Sequence, residues 1–175
     1  MKNTSNFLAH HLLVISVTLL GTQFVTVQSD ANLIVQTCKN SPNYNLCVNS
    51  LRSDSRSTKA DSQGLALIMV HVLKNRATET LQVIKQELKR NPRLRKELSS
   101  CVENYDVGIL SADIPVAIEA LEKGDPKFAE TAARDAADEA SFCEENFNGN
   151  SPLTKYNKVV HETGAVAAAI IRPLL

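Results

Sequence analysis

Few side chains in this chain have chemistry to offer. Setting the N-terminal segment aside, they are two histidines, four cysteines and a set of carboxylates. His71 and His161 fall on different predicted helices, so no ready pair for acid–base work is in view. The chain has no GxSxG, no HExxH and no glycine-rich phosphate loop. Cys38, Cys47, Cys101 and Cys143 contain no CxxC, and their spacings are far from those of structural zinc sites. An even cysteine count in an exported chain points to disulfides rather than to nucleophiles. Glu130, Asp135, Asp138, Glu139, Glu144 and Glu145 crowd one predicted helix and read as its solvated face. Retaining glycosidases hold paired carboxylates on separate elements across a cleft, and a stapled bundle of helices offers no obvious cleft. No catalytic residue, cofactor or metal is expected, and binding or inhibition is the better reading.

One further group stands out. Gly124-Asp125-Pro126-Lys127-Phe128 joins two predicted helices and puts Lys127 in a first helical turn. The positive end of the helix dipole disfavours a cation there by a few tenths of a kcal/mol.

The elements that must position these residues are helices. Hydrophobic residues make up 43% of the 175, aromatics 5%, and Gly and Pro number 6 each, a composition poor in the turns and aromatics of a β-sandwich. Asn91-Pro92, Asp125-Pro126 and Ser151-Pro152 each pair an N-cap residue with proline at the first helical position, and Asp61 is a fourth cap. Gly124 and Gly149 mark preceding helix ends. Between these signals run four apolar stripes. Helix A, about 61–90, carries Leu65, Ile68, Met69, Val72, Leu73, Leu81, Ile84 and Leu88. Helix B, about 92–122, carries Leu94, Leu98, Cys101, Val102, Tyr105, Ile109, Ala112 and Val116, with a kink or break expected at Pro115. Helix C, about 126–147, carries Phe128, Ala132, Ala136, Ala140, Cys143 and Phe147. Helix D, about 152–172, carries Leu153, Tyr156, Val160, Gly164, Ala167 and Ile171. Short turns make neighbours antiparallel, which gives an all-α, up-down-up-down four-helix bundle. The Ala and Gly of helices C and D allow close approach.

The cysteines fit this frame. Cys101 and Cys143 lie almost equally far from the B/C turn, level to within roughly one helical turn at ~1.5 Å per residue. Their pairing leaves Cys38 to Cys47, and of three possible pairings only this one needs no distortion. Residues 30–60 then form two short helices clamped by Cys38–Cys47, followed by a polar linker at Ser53–Thr58.

Residues 1–29 read as a secretory signal: Lys2, an apolar Leu12–Leu20 too short to span a membrane, and small residues before a cut after Ser29, or alternatively after Gly21. The expected organisation is 1–29 signal and 30–175 mature domain, hairpin and linker 30–60, bundle 61–175. No other segment is long and apolar enough to cross a membrane. Lys+Arg is 19 and Asp+Glu is 19, a balance that argues against nucleic acid as a partner. Charge is nonetheless uneven. Lys85, Lys89, Arg90, Arg93, Arg95 and Lys96 surround the A/B turn, and Glu144 and Glu145 at the same end are expected to neutralise them.

Thr37-Cys38-Lys39 through Cys47, Ser53-Asp54 with Arg56, Gly64 to Val70, Ala117 to Leu121, Pro126 to Glu130, Cys143-Glu144, Ser151-Pro152 and Ala169 to Arg172 together resemble the plant invertase and pectin methylesterase inhibitor family. The resemblance covers the whole mature chain. It implies the same disulfide pairing, an N-terminal helical hairpin and a four-helix bundle. It also implies one of two activities on that scaffold. Pro126-Lys127-Phe128 matches the motif of the acid invertase inhibitors, which pectin methylesterase inhibitors typically lack. The resemblance therefore implies an inhibitor of a plant acid invertase (β-fructofuranosidase) acting in the cell wall or vacuole, monomeric or weakly dimeric. Pro126, Lys127 and Phe128 would be its contact residues, and pectin methylesterase inhibition is the alternative. In this reading Lys127 faces the enzyme's carboxylates, Pro126 stiffens the turn, Asp125 caps the helix, and Phe128 either fills an apolar wall of the cleft or anchors helix C. A lipid-binding bundle and a fold that inhibits nothing are the remaining rivals.

Overall fold

A computed structural model describes residues 32–175; the expected signal segment and its cleavage sites lie outside the described residues. Every regular element among the described residues is helical. A helical segment at 32–38 (α1) and α2 (Tyr44–Ser53) form the N-terminal hairpin, closed by Cys38–Cys47. Asn43 Oδ1 caps α2 by accepting from Leu46 N–H at 3.1 Å. The stretch after α2 is not an open linker. Asp54 caps a 3₁₀ turn, Ser55–Lys59, and its carboxylate takes the Arg56 guanidinium at 2.6 Å. That hydrogen-bonded cation holds the Asp54 pKa down to about 2.

Four long helical rods follow. The first is α3 (Ser62–Arg90), with Asp61 Oδ1 accepting from Gly64 N–H at 2.8 Å as expected of a cap. The second is not one α-helix. It runs as a 3₁₀ turn (Pro92–Leu94), α4 (Arg95–Glu103), a π-helical stretch (Asn104–Asp113) and α5 (Ile114–Glu122). The third is α6 (Pro126–Glu145), and the fourth is α7 (Thr154–Ile171) with a 3₁₀ end at Arg172–Leu174. The order is the expected up-down-up-down bundle.

The π stretch relocates the disturbance that Pro115 was expected to cause. Proline lacks an N–H and crowds the carbonyl one turn back. Here the wider turn lies upstream of it, where Ile114 N–H donates to Ile109 C=O, five residues away. The extra residue rotates everything downstream. The predicted stripe continued through Ala112 and Val116, but both are exposed; Ile114, Ala117 and Leu121 face the core instead.

The core runs from Leu51 and Leu65 through Met69, Leu73, Ile84, Leu98, Ile109 and Ile171. On α6 the buried face is almost all alanine: Ala129, Ala132, Ala133, Ala136, Ala137 and Ala140, ending at Cys143. Those small side chains let α7 approach closely. A Cβ on Gly164 would stand 2.9 Å from the Ala133 carbonyl oxygen and 2.9 Å from Ala137 Cβ. Cys101–Cys143 ties the second rod to the third, with Cα atoms 4.8 Å apart. Near that staple, buried Tyr105 donates its hydroxyl to Asn157 Oδ1 at 2.8 Å, and Asn157 Nδ2 donates to Glu144 Oε2 at 2.7 Å. Burial pushes the Tyr105 phenol well above its ordinary range.

Candidate functional site

Helix α5 ends in a tight stop. Gly124 takes φ +75°, its N–H donates to Leu121 C=O at 3.2 Å, and Asp125 N–H donates to Ala120 C=O at 2.8 Å. This pair of bonds is the Schellman arrangement, and only glycine adopts that φ without strain. Pro126 opens α6 at once, with its φ fixed by the ring. Three residues, Lys123 to Asp125, thus turn the chain between a hydrogen-bonded helix stop and a proline-led helix start. Gln63 Nε2 donates to Leu121 C=O at 2.7 Å and ties this turn to the start of α3.

Pro126, Lys127 and Phe128 come together on the outer face of that turn. Lys127 is exposed and has no ion pair among the described residues. Its neighbour Lys123 is engaged by Glu119. Asp125 occupies the N-cap position, but its side chain accepts no capping hydrogen bond, contrary to its expected role. Asn91 departs in the same way: its amide donates to Glu87, and the following turn has no side-chain cap. Ser151 Oγ accepts from Leu153 N–H at 3.0 Å, and the regular helix starts at Thr154.

Phe128 is the clearest departure from the sequence pattern. It was placed on the apolar stripe of helix C, yet it is 61% exposed. The stripe is set by alanines one position over, and Phe128 points away from it. Val116, 45% exposed, stands with Phe128 in a shallow groove of about 280 Å³, completed by Glu119, Ala120, Lys123 and Asp125. Sequence reading missed Val116 as a surface residue because its spacing continued the core pattern through the π stretch. The tip therefore presents side by side a cation with no ion pair among the described residues, an exposed aromatic ring and a shallow groove of mixed apolar and charged lining.

The turn is braced from below. Glu130, one helical turn after Lys127, is buried and accepts from Arg172 Nε at 2.9 Å and from Arg134 at 2.5 Å. Its hydrogen bond to Arg172 and the two guanidinium charges outweigh desolvation and hold its pKa down. This fixes the first turns of α6 against the end of α7.

Other candidate groups are structural. His161 Nδ1 lies 2.9 Å from Ser141 Oγ and 3.1 Å from Ala137 C=O. His71 is half-buried, and burial, with Arg56 and Lys74 nearby, lowers its pKa. Both expected cystine pairs are formed. No group of three or more His, Cys, Asp or Glu among the described residues is placed to hold a metal ion. No helix among them is long and apolar enough to cross a membrane.

The chain is similar to several known proteins. The chain is 46% identical over 142 residues to cell wall / vacuolar inhibitor of fructosidase 1 of Arabidopsis thaliana, an alignment covering 81% of this chain and 69% of that protein. It is 31% identical over 156 residues to a putative invertase inhibitor of Platanus orientalis, covering 82% and 91% respectively. A pectinesterase inhibitor of Actinidia deliciosa is 29% identical over 149 residues, covering 84% and 79%. The fold matches the crystal structure of a mutant pectin methylesterase inhibitor from Arabidopsis with a TM-score of 0.65 at 22% identity, covering 77% of this chain and 92% of that one. The sequence profile of the plant invertase/pectin methylesterase inhibitor family matches residues 32–170. A helical chain stapled by two disulfides, matched by this family's profile and by these relatives along most of its length, belongs to the plant invertase/pectin methylesterase inhibitor family.

Proposed function

We propose that this protein is a secreted, non-catalytic inhibitor of plant acid invertase, and that it acts through the turn Pro126-Lys127-Phe128. The observation that carries the reading is an unpaired Lys127 beside an exposed Phe128 on a turn stiffened by Gly124, Pro126 and the Glu130–Arg172 brace. An acid invertase is a retaining glycosidase with a carboxylate nucleophile and a carboxylic acid/base in a pocket. Lys127 would enter that pocket as a cation between acidic groups. Phe128 and the Val116 groove would rest on its rim. A constrained turn loses little entropy on docking. The similarity to a cell wall / vacuolar inhibitor of fructosidase favours this target and a destination in the cell wall or vacuole.

The test is a pair of titrations with the oxidised chain 30–175 at about pH 5, near where carboxylates of a target enzyme are ionised. Loss of sucrose hydrolysis by a plant acid invertase, with pectin demethylation untouched, is the expected result. Loss of demethylation alone would assign the chain to pectin methylesterase and move the contact surface off the turn.

A further inference from the structure

The opposite end of the bundle carries a feature that the inhibitor turn does not use. Helix α3 runs 29 residues, so the turn after Arg90 lies roughly 40 Å from the Pro126 turn at ~1.5 Å per residue. Lys85, Lys89, Arg90, Arg93, Arg95 and Lys96 are all exposed around it. Arg90 is 3.9 Å from Glu87 and Lys85 is 3.0 Å from Asp106. Lys89, Arg93, Arg95 and Lys96 have no ion pair among the described residues.

The acidic groups expected to neutralise them do not. Asn146 Nδ2 donates to Ser100 Oγ at 3.2 Å, so the end of α6 does reach α4. Yet Glu144 turns inward: its two oxygens accept from Thr154 Oγ1 at 2.5 Å and from Asn157 Nδ2 at 2.7 Å. Burial raises its pKa, but these bonds with Ser151 outweigh that and keep it lowered. Glu145 is exposed and makes no ion pair among the described residues. Glu97 keeps Oε2 buried rather than turned to the cations. Arg95 and Lys96 also sit in the first turn of α4, whose N-cap Leu94 offers no side-chain acceptor. Cations at that end work against the helix dipole.

We propose that this basic end is a docking surface for a linear acidic polysaccharide of the polyuronate type. The patch is strongly charged, with Asn91, Pro92 and half-buried Leu94 between the cations from Lys89 to Lys96. It lacks the aromatic anchor on which a folded protein partner would pack. Its arginines match carboxylates in a two-pronged fork. A flexible polymer of repeating carboxylates can follow several cations at once and gains by releasing its counterions. The choice of a uronate polymer rests on the secreted destination proposed above. Docking at this end leaves the inhibitor turn free.

The test uses the oxidised chain 30–175 at about pH 5 and low salt, on beads carrying polygalacturonate, fully methyl-esterified pectin or double-stranded DNA. Retention on polygalacturonate, released by moderate salt and absent on the esterified polymer, is expected. The triple variant Arg93→Gln/Arg95→Gln/Lys96→Gln should bind polygalacturonate about tenfold more weakly. Its thermal unfolding and its titration against acid invertase should match those of the parent. Equal retention on esterified pectin or on DNA, or a variant that binds polygalacturonate as the parent does, would overturn the proposal. The wild-type comparison of charged with esterified polymer decides the matter even if the variant fails to fold. Failure of invertase inhibition in both proteins would leave the retention result standing, so the two readings separate.

Discussion

Lys127 lies in the first turn of α6 and makes no ion pair among the described residues. If its partner is the acidic pocket of an invertase, Lys127→Ala should weaken inhibition by about 2 kcal/mol or more, since a buried charge partner is lost. Inhibition constants alongside thermal unfolding check this: an unchanged constant with an intact fold would reject the contact. Inhibition should also fade below about pH 4, where the enzyme's carboxylates take up protons. At this scale the sequence was legible where residue type alone decides. The unfavourable place of Lys127 and the fixed φ of Pro126 follow from position in a turn. The exposure of Phe128 did not, because a large apolar residue in register with alanines looks like core until the bundle shows which face is turned inward.

At the scale of elements, the turn before α6 and the π stretch matter most. Gly124 sits at φ +75°, so Gly124→Ala should destabilise the chain by about 1 kcal/mol, read as a lower midpoint in urea. The π stretch ends on Asp113, whose Oδ2 is buried without a hydrogen-bond partner. Desolvation first, then the facing carboxylates Asp135 and Glu139 of α6, push its pKa up to about 7. Glu139 also accepts from Asn104 Nδ2 at 2.5 Å, and its carboxyl carbon would be 2.9 Å from a Cβ on Gly108, so it is pinned against the stretch. The folded state therefore holds a proton on Asp113 that the unfolded chain gives up near pH 4. Stability should fall as pH rises from about 4 to about 7 and level off above that. After allowance for the solvent that reaches the group, the loss is about 1–2 kcal/mol. Asp113→Asn should flatten that slope and be the more stable protein at pH 8, as unfolding curves at pH 5 and pH 8 would show. An unchanged slope would assign the pH dependence to other groups. Pro115 announced a disturbance in the second rod, but its form was not legible: a π turn needs the opposing helix to accept the rotated face.

For the molecule as a whole, the two cystines act at different ranges. Cys101–Cys143 closes a separation of 42 residues between two rods of the bundle, and Cys38–Cys47 closes one of 9 within the hairpin. Loop-closure entropy predicts that replacing Cys101 and Cys143 with Ala costs about 4 kcal/mol, against about 3 kcal/mol for the shorter loop. Calorimetry of the two double variants should show the larger drop in unfolding temperature for the first.

Composition, four stripes at helical spacing and paired helix-stop signals determined the bundle, its order and the cystine pairing from sequence alone, because each rests on local torsions and on counting residues along a helix. The Pro-Lys-Phe turn was equally plain. What the sequence could not decide is rotation about each helix axis. Packing sets that rotation, through the alanines that let α6 and α7 meet and the extra residue of the π stretch. It turned Phe128 and Val116 outward at one end. Side-chain competition for hydrogen bonds is likewise a tertiary matter. At the other end it drew Glu144 inward to Thr154 and Asn157 and left the cations of the α3–α4 turn facing solvent.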